Sequence, residues 1–167
     1  ETSDLIAIID RENIKEQNNR KVSIENTYIV LSKEKNVFAL PLKEENDEWY
    51  YVCYNQEKKL FGWIKKSENI DYMSYKDFFN FYGRKLGLYI FRNVPKKYKN
   101  LYSAPNEDST LVDTFTYPKH ISLWLIGGDW MLVKVTTLDD ITKTGWIRWR
   151  VDDKGLIAFP DFRSIHY

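Results

Sequence analysis

Two segments decide the fold class of this chain: DEWYYVCYNQEKKLFGWIKK at residues 47–66 and GDWMLVKVTTLDDITKTGWIRW at residues 128–149. They align as an internal repeat, in which a Trp after an acidic turn is followed by a Gly-Trp-Ile triplet. The Trp and the Gly lie 13 residues apart in the first copy and 15 in the second, a spacing typical of hairpins that differ slightly in length. The aligned positions are Trp49 with Trp130, Val52 with Val133, Gly62 with Gly145, Trp63 with Trp146 and Ile64 with Ile147.

Each copy has the alternation of a half-buried strand. The Trp begins the strand, alternate side chains after it can face one core, and the Gly allows close backbone approach or a bulge on the returning strand. The positions predicted to face the core are Tyr50, Val52 and Tyr54 in the first copy and Met131, Val133 and Val135 in the second.

Other short apolar runs, separated by polar turns, surround both copies and predict further strands. The first half has strand-like runs at 5–9, 27–31, 37–42, 49–54 and 60–64, and the second half at 86–91, 101–102, 111–115, 120–126, 130–135 and 144–151. The sequence therefore predicts an all-β protein with two small domains, at residues 1–71 and 86–167.

Residues 71–84, DYMSYKDFFNFYGR, have helical spacing instead and predict one short linking helix, assigned to residues 72–85. Ser74 is a suitable N-cap, Asp77 can complete a capping box, and Gly83 can end the helix. Its aromatic side chains are predicted to pack between the two halves, and they are Tyr75, Phe78, Phe79 and Tyr82.

Composition excludes several classes of protein. Of 167 residues, 16% are aromatic and 43% hydrophobic, too much apolar surface for a disordered chain. Cys53 is the single cysteine, which excludes a disulfide framework, and no apolar run is long enough to span a membrane. The charge is balanced, with 25 basic and 24 acidic residues, unlike a dedicated nucleic-acid or membrane binder.

The repeat resembles the bacterial SH3 (SH3b) family of SH3-like barrels. The second copy carries the match in Leu101-Tyr102-Ser103-Ala104-Pro105, Asp129-Trp130, Val133 and Gly145-Trp146-Ile147, and the first copy matches from Glu48-Trp49 to Ile64 with a degenerate opening strand. The resemblance covers residues 1–70 and 86–151. It implies two SH3-like barrels in tandem, the first degenerate at its N-terminal part.

The same resemblance implies a non-catalytic binding or targeting module of the bacterial cell envelope, periplasmic or extracellular, that recognises a cell-wall peptide or a protein segment. Lys65 and Arg148 stand where eukaryotic SH3 domains carry Pro, and no matching Tyr follows, so PxxP recognition is not expected. The side chains expected to contact the ligand are Glu48, Trp49 and Tyr54 in the first copy and Tyr102, Asp129, Trp130 and Trp149 in the second. The alternative, that these aromatics fill cores or an inter-domain contact, stays open.

No catalytic, metal or cofactor site is predicted. Cys53 lies mid-strand, as a small core residue would, and His120 begins a strand after a turn. His166 is next to the C-terminus, and the acidic pairs 139–140 and 152–153 are interpreted as solvated turn charge.

Two alternatives to the binding module remain: a rigid scaffold for a larger assembly, and a nucleic-acid binder, which the neutral charge disfavours. A monomer is favoured. No signal peptide is visible at Glu1, so we expect the chain to begin after a removed leader.

Overall fold

The fold is given by a computed structural model, which describes residues 5–10, 29–32, 37–55, 60–68, 70–91, 94–151 and 155–164. It is mostly β-sheet with one short helix, so the predicted all-β class is confirmed. The chain divides into two compact units, residues 1–75 and 76–167. Within the described ranges, no helix is long and apolar enough to cross a membrane.

Unit 1 is a six-stranded antiparallel sheet. Five strands follow the order β5-β4-β3-β1-β6, and the sixth, β2, pairs with β3. The long strand β3 pairs along one side with β2 near its start and with β4 near its end. The strands are β1 (Leu5–Asp10), β2 (Ile29–Ser32), β3 (Val37–Glu45), β4 (Trp49–Asn55), β5 (Leu60–Lys65) and β6 (Ile70–Ser74). In the described part, β5 and β6 end this order, β2 pairs only with β3, and the sheet is not closed into a barrel.

The core of unit 1 forms where alternate side chains of neighbouring strands meet. Successive side chains of a strand point to opposite faces, and one face of β3 and β4 is buried; on the opposite face Ala39 and Cys53 are buried as well. The buried cluster is Leu40, Leu42, Tyr50, Val52 and Ile70. Burying each Leu, Ile or Val contributes about 1.5–3 kcal/mol, so this cluster stabilises the unit.

The helix, α1, differs in its limits from the prediction. It begins as an α-helical turn at Tyr75–Phe78, continues as a π-helical turn at Phe79–Gly83 and ends as an α-helical turn at Arg84–Leu86. The predicted start was wrong because residues 71–74 belong to β6, whose pairing with β1 is non-local. Gly87, with φ of +79°, follows the last turn, so Gly83 lies within the helix and does not end it.

Unit 2 contains a five-stranded antiparallel sheet in the order β10-β11-β12-β8-β9, with two short strand pairs, β13–β14 and β7–β15. The strands are β7 (Leu88–Ile90), β8 (Asn100–Tyr102), β9 (Leu111–Thr114), β10 (Pro118–Gly127), β11 (Trp130–Thr137), β12 (Thr142–Arg148), β13 (Arg150–Val151), β14 (Gly155–Leu156) and β15 (Ala158–Pro160). Single 3₁₀ turns lie at Lys96–Lys99 and Phe162–Ser164. This sheet also ends in two edges, β10 and β9, within the described residues.

An aromatic cluster joins the helix to β15, Trp149 and the last 3₁₀ turn of unit 2. The Phe78 ring lies 5.3 Å from that of Phe159, and the Phe79 ring lies 5.1 Å from that of Trp149. Tyr82 contacts both Phe78 and Phe162. Three of the four aromatics predicted to pack between the halves therefore pack inside unit 2, and the fourth, Tyr75, is also buried. Their predicted inter-domain contact stays a prediction.

The repeat has the same strand register in both units. Trp49 pairs with Lys65 and Val52 with Gly62 in the β4–β5 hairpin. In the β11–β12 hairpin, the equivalent pairs are Trp130 with Arg148 and Val133 with Gly145. The two aligned segments therefore form equivalent hairpins, as the alignment of Trp, Val and Gly-Trp-Ile predicts.

Candidate binding surfaces

The outer face of the β4–β5 hairpin carries a row of four aromatic side chains, Trp49, Tyr51, Phe61 and Trp63, called here the aromatic row. The ring of Tyr51 is central: it lies 4.8 Å from that of Trp63 and 5.6 Å from that of Phe61. Trp49 is 37% exposed and Trp63 is 43% exposed. Such rings offer large, rigid contact area at low entropy cost.

A lysine extends this surface. Lys43 Nζ lies 4.9 Å from the ring centre of Phe61 and 5.9 Å from that of Tyr51, within the range of a cation–π contact. Lys65, opposite Trp49 on the neighbouring strand, is exposed. Glu44, which pairs with Tyr51 across β3 and β4, is exposed as well, so the border of the aromatic row carries both signs of charge.

The residues predicted as ligand contacts in the first copy lie in three different settings. Asn46 Oδ1 accepts hydrogen bonds from the backbone N–H groups of Glu48 and Trp49, and this turn sets the start of β4. Glu48 is exposed in the turn. The Tyr54 ring is half-buried over Gly62, where an added Cβ would lie 3.3 Å from Tyr54 Cε1. Of the three, only Trp49 belongs to the aromatic row.

In the second copy, the Trp predicted to contact the ligand is covered by neighbouring side chains. Trp130 is only 8% exposed. Tyr102 packs edge-on against its ring at 5.8 Å, and the Arg148 guanidinium lies 5.0 Å from the ring centre. Asn100 Nδ2 also donates a hydrogen bond to the Tyr102 hydroxyl at 3.2 Å. The burial of Trp130 favours a packing role.

Trp149 and Asp129 are tied together by backbone and side-chain contacts. Trp149 is 2% exposed, and its Nε1 donates to the Gly128 carbonyl at 2.8 Å. Arg150 Nε donates to Asp129 Oδ1 at 2.6 Å, while its guanidinium lies 4.7 Å from the Trp149 ring centre. These contacts place Trp149 in the core of unit 2, with Asp129 in the turn beside it.

A separate cavity of about 470 Å³ opens on unit 2, among β7, the start of β10 and the segment after β15. Its walls include the aromatic rings of Tyr89, Phe115 and Tyr117. Lys99 and Arg163 also line it. This volume lies in the range of small-molecule sites.

Gly87 contacts two residues that line this cavity, His120 and Asp161. A Cβ at Gly87 would lie 2.5 Å from His120 Cε1, so the imidazole rests directly on the glycine backbone. The Gly87 carbonyl accepts a hydrogen bond from the Asp161 backbone N–H at 3.0 Å. Arg163 donates to both carboxylate oxygens of Asp161, at 2.7 and 2.8 Å, and this hydrogen bonding holds the pKa of Asp161 below its ordinary value.

The structure also locates the residues considered for catalysis and metal binding. Cys53 is buried in β4, as predicted. Asp140 forms a 2.6 Å ion pair with Lys119. The described part of the chain brings no three His, Cys, Asp or Glu residues together as a metal site. His166 and the acidic pair 152–153 lie outside the described residues.

Sequence reasoning missed most of the aromatic row. Tyr51, Phe61 and Trp63 share the outer face with Trp49, and the alternation that assigned Tyr50 and Val52 to the core would have assigned Tyr51 to the opposite face. No pattern in the sequence predicted the cavity of unit 2. Asp161 and Arg163 are 41 or more positions from His120, and only the tertiary fold brings them near one another.

Comparison of the chain with protein-family models, with curated proteins and with solved structures finds no match in any of the three.

Proposed function

We propose that the chain is a non-catalytic binding module, built from two SH3-like units, that recognises a cell-wall peptide or a protein segment in a bacterial envelope. The shared register of the two repeat hairpins supports the tandem arrangement. The location in an envelope rests on the sequence resemblance alone.

The observation that carries this proposal is the aromatic row. Four rings lie on the outer face of an edge hairpin: Tyr51 contacts Phe61 and Trp63, and Trp49 and Trp63 are partly exposed. The opposite face buries Tyr50 and Val52, whereas on the face of the row, which also carries the buried Cys53, the Trp49 and Trp63 side chains stay more than a third exposed. Exposed aromatic clusters of this kind mark interaction sites.

The edge position of β5 adds to the proposal. Among the described strands, β5 pairs only with β4, so its outer backbone groups can meet an extended ligand. A peptide laid along an edge strand gains main-chain hydrogen bonds, and neighbouring side chains supply specificity. Trp63 on β5 and Trp49 on β4 would supply the contact area.

The test is co-sedimentation of the purified chain with insoluble cell-wall sacculi. The parent is expected to sediment, and Trp63→Ala and Trp49→Ala are each expected to weaken binding about tenfold or more, as central aromatic contacts do. Trp124→Ala is the matched control, since Trp124 is 48% exposed but lies on unit 2, outside the row. Sedimentation that Trp63→Ala leaves unchanged would remove the aromatic row from the proposal.

A structural scaffold is the second candidate, and the exposed apolar side chains of unit 2 favour it. They are Leu111, Val112, Trp124, Leu125, Leu138 and Ile141. A parent chain that does not sediment with sacculi, but forms a defined complex in analytical ultracentrifugation with a copurified envelope protein, would favour the scaffold over the binding module.

A further inference from the structure

We infer that the cavity of unit 2 is a binding site for a carboxylate attached to an apolar or aromatic body, such as the C-terminal residue of a peptide. The inference is independent of the proposed function, because none of the cavity's residues belongs to the aromatic row.

Among the described residues, the Arg163 guanidinium uses only one of its two hydrogen-bonding edges. Its Nε and Nη2 atoms form the two-pronged contact with Asp161, which uses one edge of the guanidinium. The remaining edge, formed by Nη1 and the second Nη2 hydrogen, is a second fork of the kind that matches a carboxylate. No acceptor among the described residues occupies that edge.

Two contacts orient the Arg163 guanidinium before any ligand arrives, although the side chain is 61% exposed. Its guanidinium lies 3.7 Å from the ring centre of Tyr89, so the plane of the fork is fixed by the aromatic face. The contact with Asp161 fixes its direction. A donor that is already oriented loses little conformational entropy on binding, which raises affinity.

The charges of the residues that line the cavity do not cancel. Asp161 neutralises Arg163, and Asp140 neutralises Lys119 at 2.6 Å. Lys99, which is half-buried, has no acidic partner among the described residues. The lining therefore presents one uncompensated positive charge, and a monoanion such as a carboxylate balances it while a phosphate dianion would leave an excess negative charge.

The walls specify the rest of the ligand. The Phe115 backbone N–H donates to the Lys99 carbonyl at 3.1 Å, so these two lining residues are neighbours, and Phe115 is buried. Tyr117, at the bend before β10, lines the cavity and is 77% exposed, so its ring is accessible to an apolar group. The lining mixes aromatic and aliphatic side chains with charged and polar ones, which suits a ligand that has a charged end and an apolar body.

The test is an NMR titration of the full chain with N-acetyl-L-phenylalanine. Saturable shifts are expected at the amides of Tyr89, Ile90 and residues 115–121, in the millimolar range typical of fragments. N-acetyl-L-phenylalaninamide, which lacks the carboxylate, is expected to bind at least about tenfold more weakly, since a charge-assisted contact is lost.

Two variants and a control complete the test. Lys99→Gln is expected to weaken binding about tenfold, and Arg163→Lys, which keeps the charge but loses the fork, several-fold. Lys134→Gln removes a charge on β11, away from the cavity, and is expected to change nothing.

Three results would each overturn the inference. They are no saturable shifts at these amides, equal affinity for the acid and its amide, and an equal effect of Lys99→Gln and Lys134→Gln. Tighter binding of phenyl phosphate than of N-acetyl-L-phenylalanine would overturn the assignment to a carboxylate. None of these outcomes depends on whether the chain sediments with sacculi.

Discussion

The two repeat hairpins share one register but differ in what covers them. On unit 1, Trp49 stands at the start of an edge hairpin and is 37% exposed. On unit 2, Trp130 holds the equivalent position and is 8% exposed. The difference lies beyond the hairpin: β12 pairs with β8 through Trp146 and Tyr102, whereas the described part of unit 1 has no strand beyond β5.

This difference shows that a repeated sequence can place a side chain without deciding its role. Strand β8 brings Tyr102 against the face of Trp130, and Arg148 covers the ring as well. Unit 1 places Lys65 at the position of Arg148, where it is exposed. The same Trp is therefore core in one unit and surface in the other.

Replacing Trp49 and Trp130 is expected to give the largest difference between the two hairpins. Trp130→Ala is expected to destabilise unit 2 by about 3–5 kcal/mol, because it leaves a cavity beneath Tyr102, while Trp49→Ala is expected to cost less than about 1 kcal/mol. Urea denaturation followed by circular dichroism measures both. Equal losses in the free energy of unfolding would contradict the difference in cover.

The paired glycines give the next largest contrast. A Cβ at Gly145 would lie 3.0 Å from both Leu101 Cβ and the Tyr102 carbonyl oxygen, and the backbone cannot move aside easily. Gly145→Ala is therefore expected to cost about 1–3 kcal/mol. Gly62→Ala meets only the Tyr54 ring, at 3.3 Å, and is expected to cost less than about 1 kcal/mol. Urea denaturation measures both losses in the free energy of unfolding. A larger loss for Gly62→Ala than for Gly145→Ala would contradict this expectation.

Removing the Arg148 cation from the Trp130 ring is expected to change stability less than Gly145→Ala does. Arg148→Met is expected to destabilise unit 2 by about 0.5–1 kcal/mol through the lost cation–π contact, whereas Lys65→Met is expected to be close to neutral. Arg148 Nε also lies 2.8 Å from Glu107 Oε1, an ion pair near the surface. Glu107→Gln separates the two contributions: a loss equal to that of Arg148→Met would assign the effect to the ion pair.

The last contrast is in pH dependence. In unit 2, hydrogen bonds from Lys143 and from the Thr114 backbone lower the pKa of Asp113, and Arg163 lowers that of Asp161. A carboxylate whose folded pKa is lowered stabilises the fold above its ordinary value of 3.8, and this stabilisation is lost as the pH falls through the folded pKa. Acid is therefore expected to weaken unit 2.

Unit 1 is expected to respond at the opposite end of the pH scale. Lys66 Nζ donates to Glu45 at 2.6 Å, and this hydrogen bond raises the pKa of Lys66 above 10.5. Its contribution is complete below 10.5 and is lost as the pH rises through the folded pKa. Residue-resolved NMR spectra across pH would show the order of loss. If Asp161→Asn left the acid response of unit 2 unchanged, the Asp161–Arg163 pair would have no part in it.

Much of the fold could be predicted from the sequence because its signals are local. Strands β3 to β5 and β10 to β12 coincide with apolar runs bounded by polar turns. Strand β6 was missed because its pairing with β1 is between residues more than 60 positions apart, and the same pairing displaced the predicted helix start. The short strands β13 to β15 carry too few residues for a periodic signal.

The candidate sites were less predictable. Trp49 was correctly placed at a strand start, but its neighbours Phe61 and Trp63 required the cross-strand register. Trp149 was singled out for ligand contact, yet it is packed against Phe79 from the helix. Burial depends on which elements fold over a residue, and no local pattern around Trp149 encodes the helix that covers it.

By itself, the sequence determined the strand pattern, the equivalence of the two hairpins and the mostly-β class, because strand periodicity and turn chemistry act over a few residues. The tertiary structure alone decided which Trp is exposed and which is buried. It also decided where Arg163, Asp161 and Lys99 meet around one cavity. These outcomes depend on contacts between residues far apart in the chain, where free energy is set by packing and desolvation and not by local propensity.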